Sequence, residues 1–161
     1  MALSTALRKK LSALAGSGVI VLSSVLLPEL EGTRYQPYRD GGGLWTVCTG
    51  HAGPEVIPGT RYTQEQCDDF LAADIAIANR AVNRLVNVPM SEMQEAALTS
   101  FVFNVGSGQF SESSLLKELN RGETNAACNS LLRWIYIGKA KSPGLLNRRE
   151  IERELCLWGE E

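Results

Sequence analysis

A chain of 161 residues suits one domain and can bury a real core, and 44% hydrophobic residues is ordinary for a globular protein. Sixteen basic against eighteen acidic residues give a formal net charge of −2, without the basic excess expected of a nucleic-acid binder. No HExxH, CxxC, P-loop or GxGxxG spacing occurs and His51 is the single histidine, so neither a metal nor a nucleotide cofactor is expected.

The N-terminus carries the first signal. Arg8, Lys9 and Lys10 precede seventeen uncharged residues, Leu11 to Leu27, and Pro28-Glu29 closes the run. Seventeen is the lower edge of what spans a bilayer. Nine of these residues are Leu, Ile or Val, worth together about −3 to −5 kcal/mol for insertion. Six are Ser or Gly (Ser12, Gly16, Ser17, Gly18, Ser23 and Ser24), which oppose insertion and leave the sum near balance. Three readings stay open. The run is an uncleaved, weakly held export signal, a cleaved signal peptide, or a buried core helix. Ala13-Leu14-Ala15 has the small-x-small form of a cleavage site but precedes any apolar core, so cleavage would fall after Ser23 or Ser24. Either export reading keeps the basic end in the cytoplasm and sends the rest across.

Beyond the run, "RYQPYRD" and "GLWTVCTG" are β-type stretches joined by Gly41-Gly42-Gly43, which reads as a hairpin. "AGPEVIPGTRY" is a Pro/Gly loop with room for a third short strand. Thr63 with Gln66 forms a capping box opening a helix to about Leu85, and Ser91 with Gln94 opens a second over "EMQEAALTSFVFNVG". Further helices are expected from Ser114 to Leu119, from Thr124 to about Tyr136, and from Asn147 to Trp158. The fold class is therefore α+β: a small β-containing lobe over about 29–62, a linking helix over 63–85, and a helical lobe over about 90–161, with an apolar helix in front. A cleft between lobes suits an extended substrate.

Cys48, Cys67, Cys128 and Cys156 are an even number in a chain that reads as exported, so disulfides are permitted. Proximity favours Cys48 with Cys67, leaving Cys128 with Cys156; buried thiols acting as small hydrophobes are the alternative. Glu31 ends the first helix, Asp40 closes the first strand of the hairpin, and Thr46 lies on the second. Two carboxyls flanking a glycosidic bond supply a general acid and a base, and a hydroxyl beside the base can hold the attacking water. Taken alone this is a weak signal, since Glu-Gly at a helix end and Asp-Gly at a turn are common structural pieces.

The spacing Glu31-Gly32, Asp40, Thr46, Gly50-His51 resembles the phage lysozyme family, and the likeness continues through "SFVFNVGSGQF", "SSLLKELNRGE", "ACNSLLRW" and "GLLNRREIE". With the apolar run in front, the chain resembles the signal-anchor-release endolysins of lambdoid phages. The resemblance implies a lysozyme-like fold, with residues 1–28 as the anchor segment and 29–161 as the catalytic domain. It implies hydrolysis of peptidoglycan glycan strands, with inversion, by a monomer without a cofactor. A lytic transglycosylase, which uses the glutamate without a water-activating partner, and a non-enzymatic membrane-anchored wall-binding module are the alternatives. Glu31 would be the general acid, and Asp40 and Thr46 would orient the water. Arg148 matches an arginine that pairs with the catalytic glutamate, although an exposed helix arginine is the plain alternative. Phe103, Ser114 and Asn129 match sugar-binding positions, with Asn104 beside them; core packing is the alternative for Phe103. His51 reads as a structural histidine, and Trp134 and Trp158 as core. The resemblance also implies passage through the host export machinery, a single-pass stay in the inner membrane through residues 11–27, and release to the periplasm.

Overall fold

A computed structural model of the protein describes residues 3–159. The expected single apolar helix at the N-terminus does not form. Leu11 to Leu27 is divided between α1 (Thr5–Ala13) and α2 (Val19–Glu31), with a turn between them. Gly16 and Gly18 have φ of +87° and +105°, a region that only glycine enters cheaply, and both interrupt the helical path. Among the described residues, no helix is long and apolar enough to cross a membrane.

α1 is capped by Ser4, whose Oγ accepts from the Leu7 N–H at 3.1 Å. It buries Leu7 and Leu11 and is tied to the C-terminal helix by an Arg8–Glu154 ion pair. α2 buries Leu22, Leu26 and Leu27 against its neighbours in the helical body. It runs through residue 28, with Pro28 inside its last turns, so the expected boundary between anchor and catalytic domain falls within one helix. Residues 1–2 and 160–161 of those assigned segments lie outside the described residues.

The small lobe is an antiparallel sheet in the order β1 (Arg34–Arg39), β2 (Trp45–Cys48), β3 (His51–Ala52). Tyr38 faces Thr46 and Arg34 faces Cys48, so β1 spends two more residues than β2 between these pairs. Pro37, which has no N–H to offer a ladder, lies in that irregular stretch. Val47, Cys48, Val56, Tyr62 and Cys67 form the lobe's own core, and a Cys48–Cys67 disulfide joins β2 to α3 (Gln64–Leu85).

The helical body follows, with α4 (Glu92–Val105), α5 (Ser107–Glu112), α6 (Ser114–Asn120), α7 (Thr124–Ser130) and α8 (Pro143–Cys156). Both capping boxes close: Thr63 with Gln66 begins α3, and Ser91 with Gln94 begins α4. One large core runs from Leu3 through Phe101, Phe110 and Leu115 to Leu155, and a Cys128–Cys156 disulfide joins α7 to α8. Two sequence expectations need correction. The helix expected over 124–136 ends at Ser130, passes through a 3-10 turn (Leu131–Arg133), and gives way to a hairpin of β4 (Tyr136–Ile137) and β5 (Ala140–Lys141). α8 begins at Pro143 instead of Asn147, capped by Ser142, whose Oγ accepts from the Leu145 N–H at 3.2 Å.

Candidate active site

Glu31 is the last residue of α2, and Gly32 at φ +71° turns the chain away into β1. Its Oε1 accepts from Nη1 of Arg148 on α8, while a quarter of its side chain remains exposed. A Cβ at Gly50, in the turn between β2 and β3, would lie 3.5 Å from Glu31 Oε2 and 4.0 Å from the Phe103 ring. Gly50 therefore lets the small lobe come close to a carboxylate that belongs to the helical body. Phe103 is half-buried on α4 beside Leu27, Leu71 and Ile75, so it packs as core, and its ring also lies close to Gly50.

Arg148 is buried, and its other donors are fixed. Nη2 donates to the Ser100 carbonyl at 2.9 Å, and Nε donates to Glu152 Oε2 at 3.3 Å. Glu152 is fully buried; it accepts from Ser100 Oγ at 2.6 Å and from Arg149 Nη1 at 2.7 Å. Two carboxylates, Glu31 and Glu152, thus face two guanidiniums, Arg148 and Arg149. A buried charge set is tolerable only when paired in this way. Burial pulls the Arg149 guanidinium below its ordinary value and Glu152 opposes that pull. Arg149 also stacks 5.0 Å from the Phe101 ring and donates to the Trp134 carbonyl at 2.9 Å.

The hairpin carries the other two residues. Asp40 Oδ1 accepts from the Gly42 and Leu44 N–H groups, each at 2.9 Å, which holds the loop and leaves Oδ2 outside those bonds. Thr46 is buried opposite Tyr38, and its hydroxyl donates to the Leu44 carbonyl at 3.1 Å. His51 bridges two carboxylates, Asp74 at 2.7 Å through Nδ1 and Glu55 at 2.6 Å through Nε2, and stacks on Phe70 at 4.0 Å. Its ring is used up in joining β3 to α3 and the following loop. Glu55 is held below its ordinary carboxylate value, first by a backbone hydrogen bond and then by His51.

The remaining positions lie on the helical body, each held by an arginine. Asn104 accepts from Arg149, Ser114 from Arg133 at 3.3 Å, and Asn129 from Arg153 at 2.6 Å. Sequence reasoning missed Glu152, Arg149 and Ser100. The first two had a readable signal, because Glu152 stands four residues after Arg148 and three after Arg149 on one helix. Ser100 had none.

A sequence profile of the phage lysozyme family matches residues 28–152. A SAR-endolysin of Bacteriophage PS119 is 42% identical over 167 aligned residues, covering all of both chains. Among solved structures, the active form of the P1 phage endolysin Lyz is 28% identical with a TM-score of 0.80, over 97% of this chain and 94% of that one. The secreted inactive form of Lyz is 31% identical but reaches a TM-score of only 0.53, over 68% of this chain and 78% of that one. The chain belongs to the phage lysozyme family and is a glycoside hydrolase of the muramidase type.

Proposed function

We propose that this protein is an endolysin that cleaves the β-1,4 bond between N-acetylmuramic acid and N-acetylglucosamine in peptidoglycan, lysing the bacterial host. Glu31 donates its proton to the glycosidic oxygen as the bond to the anomeric carbon breaks. A water on the opposite face attacks that carbon; Asp40 takes its proton and the Thr46 hydroxyl orients it, which gives inversion. The observation that carries the reading is the Glu31 carboxylate, partly exposed at the end of α2, fixed by buried Arg148 and faced by Gly50 of the small lobe.

Before it cuts, the enzyme waits in the inner membrane. Leu11 to Leu27 holds the chain there, with Glu31 four residues beyond the end of the run and pinned at the bilayer surface, unable to meet Asp40 and Thr46. The hold is marginal, so the run leaves uncleaved and folds against the body as α1 and α2. The likeness over nearly the whole chain to the active form of Lyz, and the lesser likeness to its inactive form, support the reading of α1 and α2 folded on the body as the active state. Product analysis tests the chemistry. Digested peptidoglycan should carry reducing ends of inverted anomeric configuration at first release; 1,6-anhydro ends would replace hydrolysis by transglycosylation and remove the water-activating role of Asp40 and Thr46.

A further inference from the structure

The turn that breaks the apolar run is held by one carboxylate. Gly16 N–H donates to Glu92 Oε2 at 2.7 Å, and Gly18 N–H donates to Glu92 Oε1 at 2.6 Å. In an unbroken helix through residues 11–27 those two N–H groups would bond to the carbonyls of Ser12 and Leu14, four residues back. No side chain could then reach them, so this contact belongs to the broken, folded-back form alone.

Gly18 is also the N-cap of α2 and has no side chain with which to serve the helix's first N–H groups. Glu92 brings a negative charge to that end, where the helix dipole favours one. The other end of the same helix is Glu31. α2 is therefore fixed at both ends by charged side chains, Glu92 at its start and Arg148 at its finish. Glu92 is the first residue of α4, and near its far end the same helix carries Phe103, which approaches Gly50 as Glu31 does. α2 and α4 pack against each other, so a fixed start for α2 on α4 constrains where its last residue falls.

We infer that Glu92 is a positioning residue for Glu31, setting the placement of α2 through the Gly16 and Gly18 amides once the run has left the bilayer. The inference rests on Glu31 being the catalytic acid. It acts through α2, without contact with substrate, and it stabilises the released form without touching the membrane-held one.

The test uses full-length released protein as wild type, Glu92→Ala, Glu92→Gln and Glu31→Gln. Amide hydrogen exchange at Gly16 and Gly18 is read beside kcat and KM on purified peptidoglycan. In Glu92→Ala the two amides should exchange faster and kcat should fall, each by about tenfold, as loss of a charge-assisted hydrogen bond implies, with KM unchanged. Glu92→Gln keeps one acceptor oxygen and should lie between, which also serves if the alanine variant folds poorly. Unchanged exchange in both Glu92 variants would overturn the contact. Faster exchange with wild-type kcat would overturn the positioning role. Wild-type kcat in Glu31→Gln would instead overturn the reading of Glu31 itself, whatever the Glu92 variants do.

Discussion

The N-terminal segment and α3 bury apolar residues by different rules. α3 buries one stripe, Cys67, Leu71, Ile75, Ala78, Ala81 and Val82, and most of its other positions are polar, with Ile77 an exposed exception at 60%. Leu11 to Leu27 is apolar all round, yet folding uses one side of it. Leu11, Leu22, Leu26 and Leu27 are at most 1% exposed, while Ile20 and Val21 are 41% and 40% exposed. A helix of a soluble body needs one apolar stripe. The surplus apolarity of the N-terminal segment has no use in this fold, but a bilayer, which surrounds a helix, requires it. Under the proposed function one segment serves two environments, and its six Ser and Gly residues would keep either from winning outright.

The largest effect should come where the segment ends and the site begins. Glu31→Gln cannot donate a proton and should lower peptidoglycan hydrolysis at least about 10²- to 10⁴-fold in a turbidity assay, with an unchanged circular dichroism spectrum. Asp40→Asn should cost nearly as much, and Thr46→Ala somewhat less. Next comes the break. Replacing Gly16, Ser17 and Gly18 by Leu strengthens insertion and puts branched side chains at two positive-φ positions, so both changes favour the membrane-held form. The triple variant should stay in the membrane fraction and lyse poorly.

The small lobe should respond in the opposite manner. Cys48→Ser with Cys67→Ser opens a loop closed across 19 residues of sequence, and should lower unfolding stability by about 3 kcal/mol in a denaturant titration. Partition between membrane and periplasm should not change, because the disulfide lies outside the run. The smallest effect is at Ser23, whose hydroxyl is fully buried without a hydrogen-bond partner among the described residues. Ser23→Ala should stabilise the released protein by about 1 kcal/mol and yet slow release, since it removes a polar group from both settings.

The sequence showed what is local and strongly patterned. Both capping boxes closed where Thr63-Gln66 and Ser91-Gln94 stand, because a cap needs only its own four residues. The spacing from Glu31 to His51 carried the hairpin because the turn glycines lie within it. The hairpin at 136–141 was hidden by "LLRWIY", which reads as well for a helix as for a strand; Gly138 at φ +62° makes the turn that decides it. α5 has six residues, too few to show a period. The start of α8 was legible in Ser142-Pro143, an N-cap followed by the residue that best tolerates the first helical position. The break at Gly16 to Gly18 had the right residues, but the side chain that bonds to it, Glu92, stands more than seventy positions away, and no local pattern reaches that far.

The central claim is that the apolar run survives in the working enzyme and, folded as α1 and α2, carries Glu31 to Arg148. Intact-mass measurement of the active periplasmic protein, with activity assayed on the same fraction, tests it most directly. The expected mass is that of the full chain, allowing for loss of Met1. A fully active form beginning at Ser24 or Val25 would contradict it, because that form would lack α1, Gly16, Gly18 and the first turns of the helix that ends in Glu31.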